Sequence, residues 1–331
     1  MVKSARNKAA TEVIAVTGAS NYLGVGLMNR LLADERVGRI VALDTQAPSI
    51  EHPKLVHHML DLTNPSAPQL LHNVFQKEKV TRLVHLIFTY TLSRNRALAH
   101  ELEAIGTMQV LDAASAAGIR RIVARSTTAI YGAKPGNPNF LTEFHEPDDA
   151  GDDSFISDKL ELERQMRQFA REHGECRVAI LRDCTSLGPT SINYLSGLLL
   201  LRRTPRVLGF DPLMQFIHED DLFRAYAQVT MDDSSGTYNI VGKGVIRFSE
   251  AVARAGGCEI RLPESVLRLG SSVFWSLKLL DIPPSFIDHL KYSWVADGTR
   301  AVAELGFVPH FDGFEALKEF KKHRRSRNGS L

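Results

Sequence analysis

The stretch Val13-Ile14-Ala15-Val16-Thr17-Gly18-Ala19-Ser20-Asn21-Tyr22-Leu23-Gly24 runs without a break into an apolar-periodic segment over 25–32. An apolar β-branched pentad, a turn carrying glycines and a 3.6-residue period make a strand, a tight loop and a helix in that order. That order begins a nucleotide-binding βαβ unit. Loop amides and the positive end of the helix then face a pyrophosphate, which requires small residues where backbone meets phosphate. Gly18 and Gly24 meet the requirement, whereas Asn21 stands at the middle glycine of the pattern. A side chain there narrows the approach, although asparagine tolerates left-handed backbone better than most residues. The site reads as altered rather than lost.

Residues 39–43 read as a second strand ending in Asp44, about twenty residues beyond the glycines, where a carboxylate can bind the adenosine ribose hydroxyls. No arginine follows immediately to neutralise a 2′-phosphate, which favours NAD over NADP. The chain has 331 residues, with 44% hydrophobic and 24% charged residues, as an ordinary globule has. Its net charge of +2 demands no acidic partner. The basic cluster Lys321, Lys322, Arg324, Arg325 and Arg327 reads as a solvated end, so no nucleic-acid partner is expected. Cys176, Cys184 and Cys258 have no metal-ligand spacing, and their scarcity suits a reducing compartment. With no secretion signal in view, the expected location is cytoplasmic. Apolar segments over 194–201 and 266–280 are too short, or too interrupted by Arg268 and Lys278, to span a membrane. The second reads as a lid over a substrate cleft, or as an amphipathic helix on a lipid surface.

Further strands are predicted over 55–59, 80–88, 121–124, 177–181 and 237–241, and helices over 97–117 and 154–173. Such alternation implies an α/β fold, a doubly wound parallel (Rossmann) sheet with right-handed crossovers. Beyond Asp183 the alternation weakens, and prolines break the remainder into short elements. The expected division is a nucleotide-binding domain over 1–183, to which 215–242 returns, and a smaller mixed substrate lobe over 184–331.

Thr17-Gly18 with Gly24, Asp44, Asp61-Leu62, His85-Leu86, Thr127 ahead of Ile130-Tyr131-Gly132, and Lys159 together resemble an extended short-chain dehydrogenase/reductase. The likeness is to the UDP-glucose 4-epimerase-like branch of the NAD-dependent epimerase/dehydratase family. Leu181-Arg182 with Gly188-Pro189, residues 216–221 and residues 236–240 extend it over nearly the whole chain. The resemblance implies NAD held by Gly18, Asn21, Tyr22, Leu23, Gly24, Asp44, Asp61, Leu62, Leu86 and Lys159, and a small-molecule substrate, a nucleotide sugar. It also implies that helices 97–117 and 154–173 pair with those of a second subunit. Thr127 would hold the substrate oxygen, and Lys159 the nicotinamide ribose.

In that family a tyrosine four residues before the lysine exchanges the proton, and here the position is Phe155. Phenylalanine has no proton to give, and losing a positioned acid or base costs about two to four orders of magnitude in rate. Glu103 at the usual helix asparagine, Asp183 at the usual proline and Asn21 are further departures. Tyr131, Glu143, His145, Glu146 and Asp158 are the nearby groups that could replace the donor. The sequence therefore admits an epimerase or dehydrogenase of a nucleotide sugar or related hydroxylated substrate with a substitute donor, or a binding protein that holds NAD without turnover. A third reading has 195–201 and 273–280 lining a pocket for a sterol-like or lipidic substrate. No metal site is expected.

Overall fold

The computed structural model describes residues 11–87, 96–147, 154–276 and 284–328. The predicted strand end at Phe88, the apolar run over 277–280 and the last three residues lie outside them. Seven strands form one parallel sheet: β1 (Glu12–Thr17), β2 (Val37–Asp44), β3 (Leu55–Met59), β4 (Arg82–His85), β5 (Arg121–Thr127), β6 (Arg177–Asp183) and, after four short strands, β11 (Gly236–Ile240). Their spatial order is β11-β6-β5-β4-β1-β2-β3. The sequence alternates within the strands as the two-residue period demands. Ile14, Val16, Ile40, Ala42 and Val123 enter one core layer, while Ala15, Val41, Leu43, Ile122 and Ala124 enter the other.

Helix α1 (Tyr22–Leu32) covers the first layer with Leu23, Leu27 and Leu31 at four-residue spacing, all buried. Helix α7 (Glu219–Met231) lies beside it, with Arg30 ion-paired to Asp220. On the other face α2 (Ala67–Glu78), α4 (Gly106–Ala116) and α5 (Ser154–Glu172) pack against one another and the sheet. The crossover order matches a doubly wound sheet, whose ligand crevice opens at the carboxyl ends of its strands where the order reverses. Here that reversal lies between β1 and β4, next to the glycine loop.

One predicted element is corrected. The helix expected over 97–117 is α3 (Arg96–His100), a π turn over Glu101–Ile105, and then α4. The extra residue in the turn is accommodated where the Thr107 hydroxyl donates back to the Glu103 carbonyl and Gly106 packs on Leu62. Such π turns are over-represented at functional sites. This one sets Glu103 beneath α5.

The short strands β7 (Thr185–Leu187), β8 (Arg203–Val207), β9 (Leu213–Met214) and β10 (Phe216–His218) precede β11, and β12 (Ile246–Arg247) and β13 (Cys258–Leu262) follow it. They pair in twos as β10-β7, β12-β9 and β13-β8. The helix α6 (Tyr194–Leu200) buries Leu195, Leu198 and Leu199 in the core, while Ser196, Gly197 and Leu200 line a cavity of about 260 Å³. Among the described residues, no helix is long and apolar enough to cross a membrane.

Candidate functional site

The turn after β1 is built by backbone geometry. Gly18 has φ +68°, and a Cβ there would lie 2.8 Å from the Leu86 carbonyl oxygen, so the position admits only glycine. At Gly24 the obstacle is proximity, since a Cβ would sit 2.7 Å from the carbonyl oxygens of Gly18 and Ala19. Asn21 is not left-handed, which corrects the reason for its tolerance: its φ is −72° and ψ 164°, and it caps α1. Its Oδ1 accepts the Gly24 amide at 2.8 Å, and its Nδ2 donates to the Leu86 carbonyl at 3.3 Å. Capping of this kind is worth about 1 kcal/mol. Asparagine thus holds the turn where the pattern has glycine.

Asp44 ends β2 and accepts the Ser20 amide on Oδ2 at 2.8 Å, which ties the carboxylate to the loop. Gly18, Asn21, Gly24, Asp44 and the Leu86 carbonyl therefore form one connected rim. Leu23, Leu62 and Leu86 bury their side chains in the core, leaving only backbone for a ligand. Asp61 is exposed, and its Oδ1 accepts the Thr63 amide and hydroxyl at 3.0 and 2.7 Å.

The other end of the site lies at the ends of β5 and β6. Thr127 closes β5, and its Oγ1 accepts the Ala129 amide at 3.2 Å. Phe155 is half-buried on α5, with the Lys159 Nζ 5.4 Å from its ring centroid. Lys159 has no exposed surface, and its ammonium is ion-paired to Glu103, itself 1% exposed. Burial pulls the lysine below its ordinary pKa, and the Glu103 charge opposes that pull. The resemblance reserved Lys159 for the nicotinamide ribose. It is neither exposed nor unoccupied, because the Glu103 carboxylate from the π turn already takes its charge.

A second buried pair stands beside it. Arg125 donates to both Asp183 oxygens, Nε to Oδ1 at 3.2 Å and Nη2 to Oδ2 at 2.7 Å, and the Tyr226 hydroxyl adds a bond to Oδ1 at 3.2 Å. Arg125 pairs with Leu181 across β5 and β6, so Asp183 is its diagonal neighbour on the same face. Both side chains, with Tyr22, Thr127, Phe155 and Ser186, line a cavity of about 30 Å³. Drug-sized ligands take pockets of roughly 300–1,000 Å³. Tyr22 faces this cavity with its hydroxyl 2.6 Å from Ser186 Oγ, and burial raises its phenol pKa.

Sequence reasoning did not assign Arg125 or Ser186. An arginine within a strand otherwise buried was the available signal, because a buried charge demands a partner.

The substitute donors are turned elsewhere. The Tyr131 hydroxyl donates to Asn239 Oδ1 at 2.9 Å and accepts from Arg182 at 2.7 Å, and burial raises its pKa. Glu143 accepts the Asn239 amide at 2.7 Å. His145 accepts the Thr142 amide at 3.1 Å, and Asp158 is bonded to His100 at 2.7 Å with its pKa raised by burial. Glu146 is exposed on the loop. Beneath them Glu163 binds Arg182 through both oxygens at 2.9 and 2.7 Å and accepts the Ser126 hydroxyl at 2.6 Å, fixing α5 on the sheet. Among the described residues no cluster of three or more His, Cys, Asp or Glu side chains is arranged to hold a metal.

A family model described as NAD dependent epimerase/dehydratase matches residues 14–241. An uncharacterized protein of Mycobacterium tuberculosis is 30% identical over 327 residues, 95% of this chain and 84% of its own length. One from Sinorhizobium fredii is 26% identical over 326 residues, 96% and 79% respectively. Among solved structures, DesIV of Streptomyces venezuelae, a dTDP-glucose 4,6-dehydratase bound to NAD and TYD, superposes with a TM-score of 0.77 at 19% identity, covering 96% of this chain and 98% of its own. A UDP-glucose 4-epimerase of Thermotoga maritima bound to UDP-glucose gives a TM-score of 0.74 at 16% identity, covering 96% and 99%. At these identities the structures carry the fold alone.

Proposed function

Since the chain belongs to the NAD-dependent epimerase/dehydratase family, we propose that it holds NAD in the family's crevice and works by binding rather than by hydride transfer. The observation that carries this reading is the Lys159–Glu103 ion pair beside Phe155. A family catalyst needs a proton-exchanging hydroxyl and a lysine turned to the cofactor, and this chain has a phenyl ring and a lysine turned to a carboxylate.

The residues suit the two ends of NAD unequally. When bound, NAD supplies hydride chemistry at its nicotinamide. The Gly18-to-Gly24 turn and the start of α1 would hold its pyrophosphate, and Asp44 its adenosine ribose hydroxyls. At the far end Thr127 offers a hydroxyl, and the Tyr22 phenol beside it is bonded to Ser186 with its pKa raised by burial. A nucleotide sugar is the small molecule such a crevice would take, by analogy with the ligands named for the solved relatives. The same reading pairs α4 and α5 with those of a second subunit, across a groove of about 620 Å³ lined by Met108, Leu111, Phe169 and His173. Sedimentation would register a doubled mass.

Calorimetric titration tests the reading. NAD is expected to bind in the micromolar range and NADP at least tenfold more weakly. Asp44→Ala is expected to lose about 10- to 100-fold in NAD affinity, the worth of a charge-assisted hydrogen bond. Absence of NAD binding, or isomer formation from UDP-glucose by the unmodified protein, overturns it. Phe155→Tyr is expected to leave turnover of UDP-glucose and dTDP-glucose at background, because the lysine that would lower the new phenol's pKa remains tied to Glu103. A gain of two orders of magnitude in that variant would show that the tyrosine alone was missing.

A further inference from the structure

We infer that the crevice recognises the adenosine-diphosphate-ribose part of its ligand and gives no binding to the nicotinamide ring, so that NAD, NADH and free ADP-ribose are equivalent ligands. This rests on the NAD-binding reading above and names the ligand class of the same site.

Two independent juxtapositions carry it. Lys159, wholly buried, has its charge taken by Glu103 from the π turn. Arg125 and Asp183, 4% and 3% exposed, are locked in a two-point ion pair with a third bond from Tyr226. These four side chains bring two positive and two negative charges to the same end of the crevice, each satisfied by protein. A ring entering there would have to separate a buried pair. Removing one partner of such a pair is strongly unfavourable, because it leaves the other charge buried and uncompensated. Steric room points the same way. Among the described residues, the cavity that Arg125 and Asp183 share with Thr127 and Phe155 measures about 30 Å³, below the roughly 300–1,000 Å³ of ligand pockets.

The adenosine end differs in kind. Asp44 sits at a strand end, half-buried, and its bond to the Ser20 amide occupies one oxygen while aiming the carboxylate along the loop. Thr45 donates to the other at 3.3 Å, a long and exposed contact that a ribose hydroxyl can replace. Recognition is thereby concentrated on the half of the dinucleotide that NAD, NADH and ADP-ribose share.

The experiment is a competition and direct titration of the full chain with NAD, NADH and ADP-ribose, with NADH emission recorded at saturation. Dissociation constants within about threefold of one another are expected, with bound NADH emitting at the wavelength of free NADH. A tenfold or greater preference for NAD over ADP-ribose, or a shifted emission of bound NADH, overturns the inference while leaving NAD binding intact. Binding of none of the three removes the NAD-binding reading and this one with it. As a second arm, Glu103→Asn is expected to release Lys159 toward the ribose next to the nicotinamide, which ADP-ribose also carries, and to tighten NAD and ADP-ribose alike by about tenfold. A gain for NAD alone in a folded variant would show that the nicotinamide ring contributes binding there and would overturn the inference.

Discussion

Glu103→Ala is expected to lower the unfolding free energy by about 3–5 kcal/mol, the usual cost of leaving one member of a buried ion pair without its partner. Lys159 has no exposed surface through which water could take over from the carboxylate. Its remaining option is to lose the proton, and burial already draws its pKa downward. The companion change distinguishes this account from a simple packing loss. Glu103→Leu combined with Lys159→Met removes both charges at similar volume, and such replacements are often neutral or stabilising. The double variant should therefore recover most of the stability that the single one loses. Urea titration of the wild type, Glu103→Leu, Lys159→Met and the double variant supplies the cycle. Additive losses would show that the two residues are not coupled and would remove the physical basis for a self-occupied site.

The same pair shows where sequence reading reaches its limit. The turn around Gly18 was legible because its requirement is local: a strand, a turn that only glycine can make and an amphipathic helix are adjacent in the chain. Asp44 was legible for a similar reason, being fixed by the length of one βα unit. Glu103 and Lys159 are 56 residues apart, on elements joined only by tertiary packing. Each departure was visible by itself, as a glutamate where the family has asparagine and a lysine without its tyrosine. Their meeting depended on a π turn that helical periodicity does not announce, since one inserted residue rotates everything ahead of it by roughly a third of a turn or less. Arg125 and Asp183 are intermediate. Once β5 and β6 are known to be neighbours in register, the arginine and the aspartate fall on one face as diagonal partners. The register, rather than the residue types, was the missing information.

These departures also have a common physical form. Glu103 neutralises Lys159 beside Phe155, and Asp183 neutralises Arg125 on the adjacent strand. Charges in this end of the crevice occur in complementary pairs, as a site must arrange them when no ligand is present to supply the complement. Such pairing keeps the sheet ends stable. It is the stability side of the proposed change from turnover to binding.

Lowering the pH should expose a different buried group, and the expected effect is large. His85 has no exposed surface and lies between two hydroxyls, with Thr17 Oγ1 2.8 Å from Nδ1 and Thr107 Oγ1 3.0 Å from Nε2. Thr107 gives its proton to the Glu103 carbonyl, so it accepts from Nε2–H, and Nδ1 accepts from Thr17. A neutral imidazole satisfies both contacts. Burial, and then the charge of Lys159, push its pKa down to about 3 from 6.5. Between these values the unfolded chain binds a proton that the folded chain refuses, so stability falls as pH falls through that window and levels off below it. The slope from this residue is about 1.4 kcal/mol per pH unit. Glu163 moves in the same direction only at more acid pH: burial would raise its pKa, but Arg182 outweighs that and holds it below 4.5. His85→Gln keeps a donor and an acceptor without a titrating proton. Wild type and variant should diverge from pH 6.5 downward, by about 1.4 kcal/mol for each unit to pH 4, with carboxylate effects cancelling in the difference. Parallel stability curves over that range would mean that His85 accepts a proton in the folded state, and that the hydroxyl chain linking β1, β4 and α4 tolerates an imidazolium.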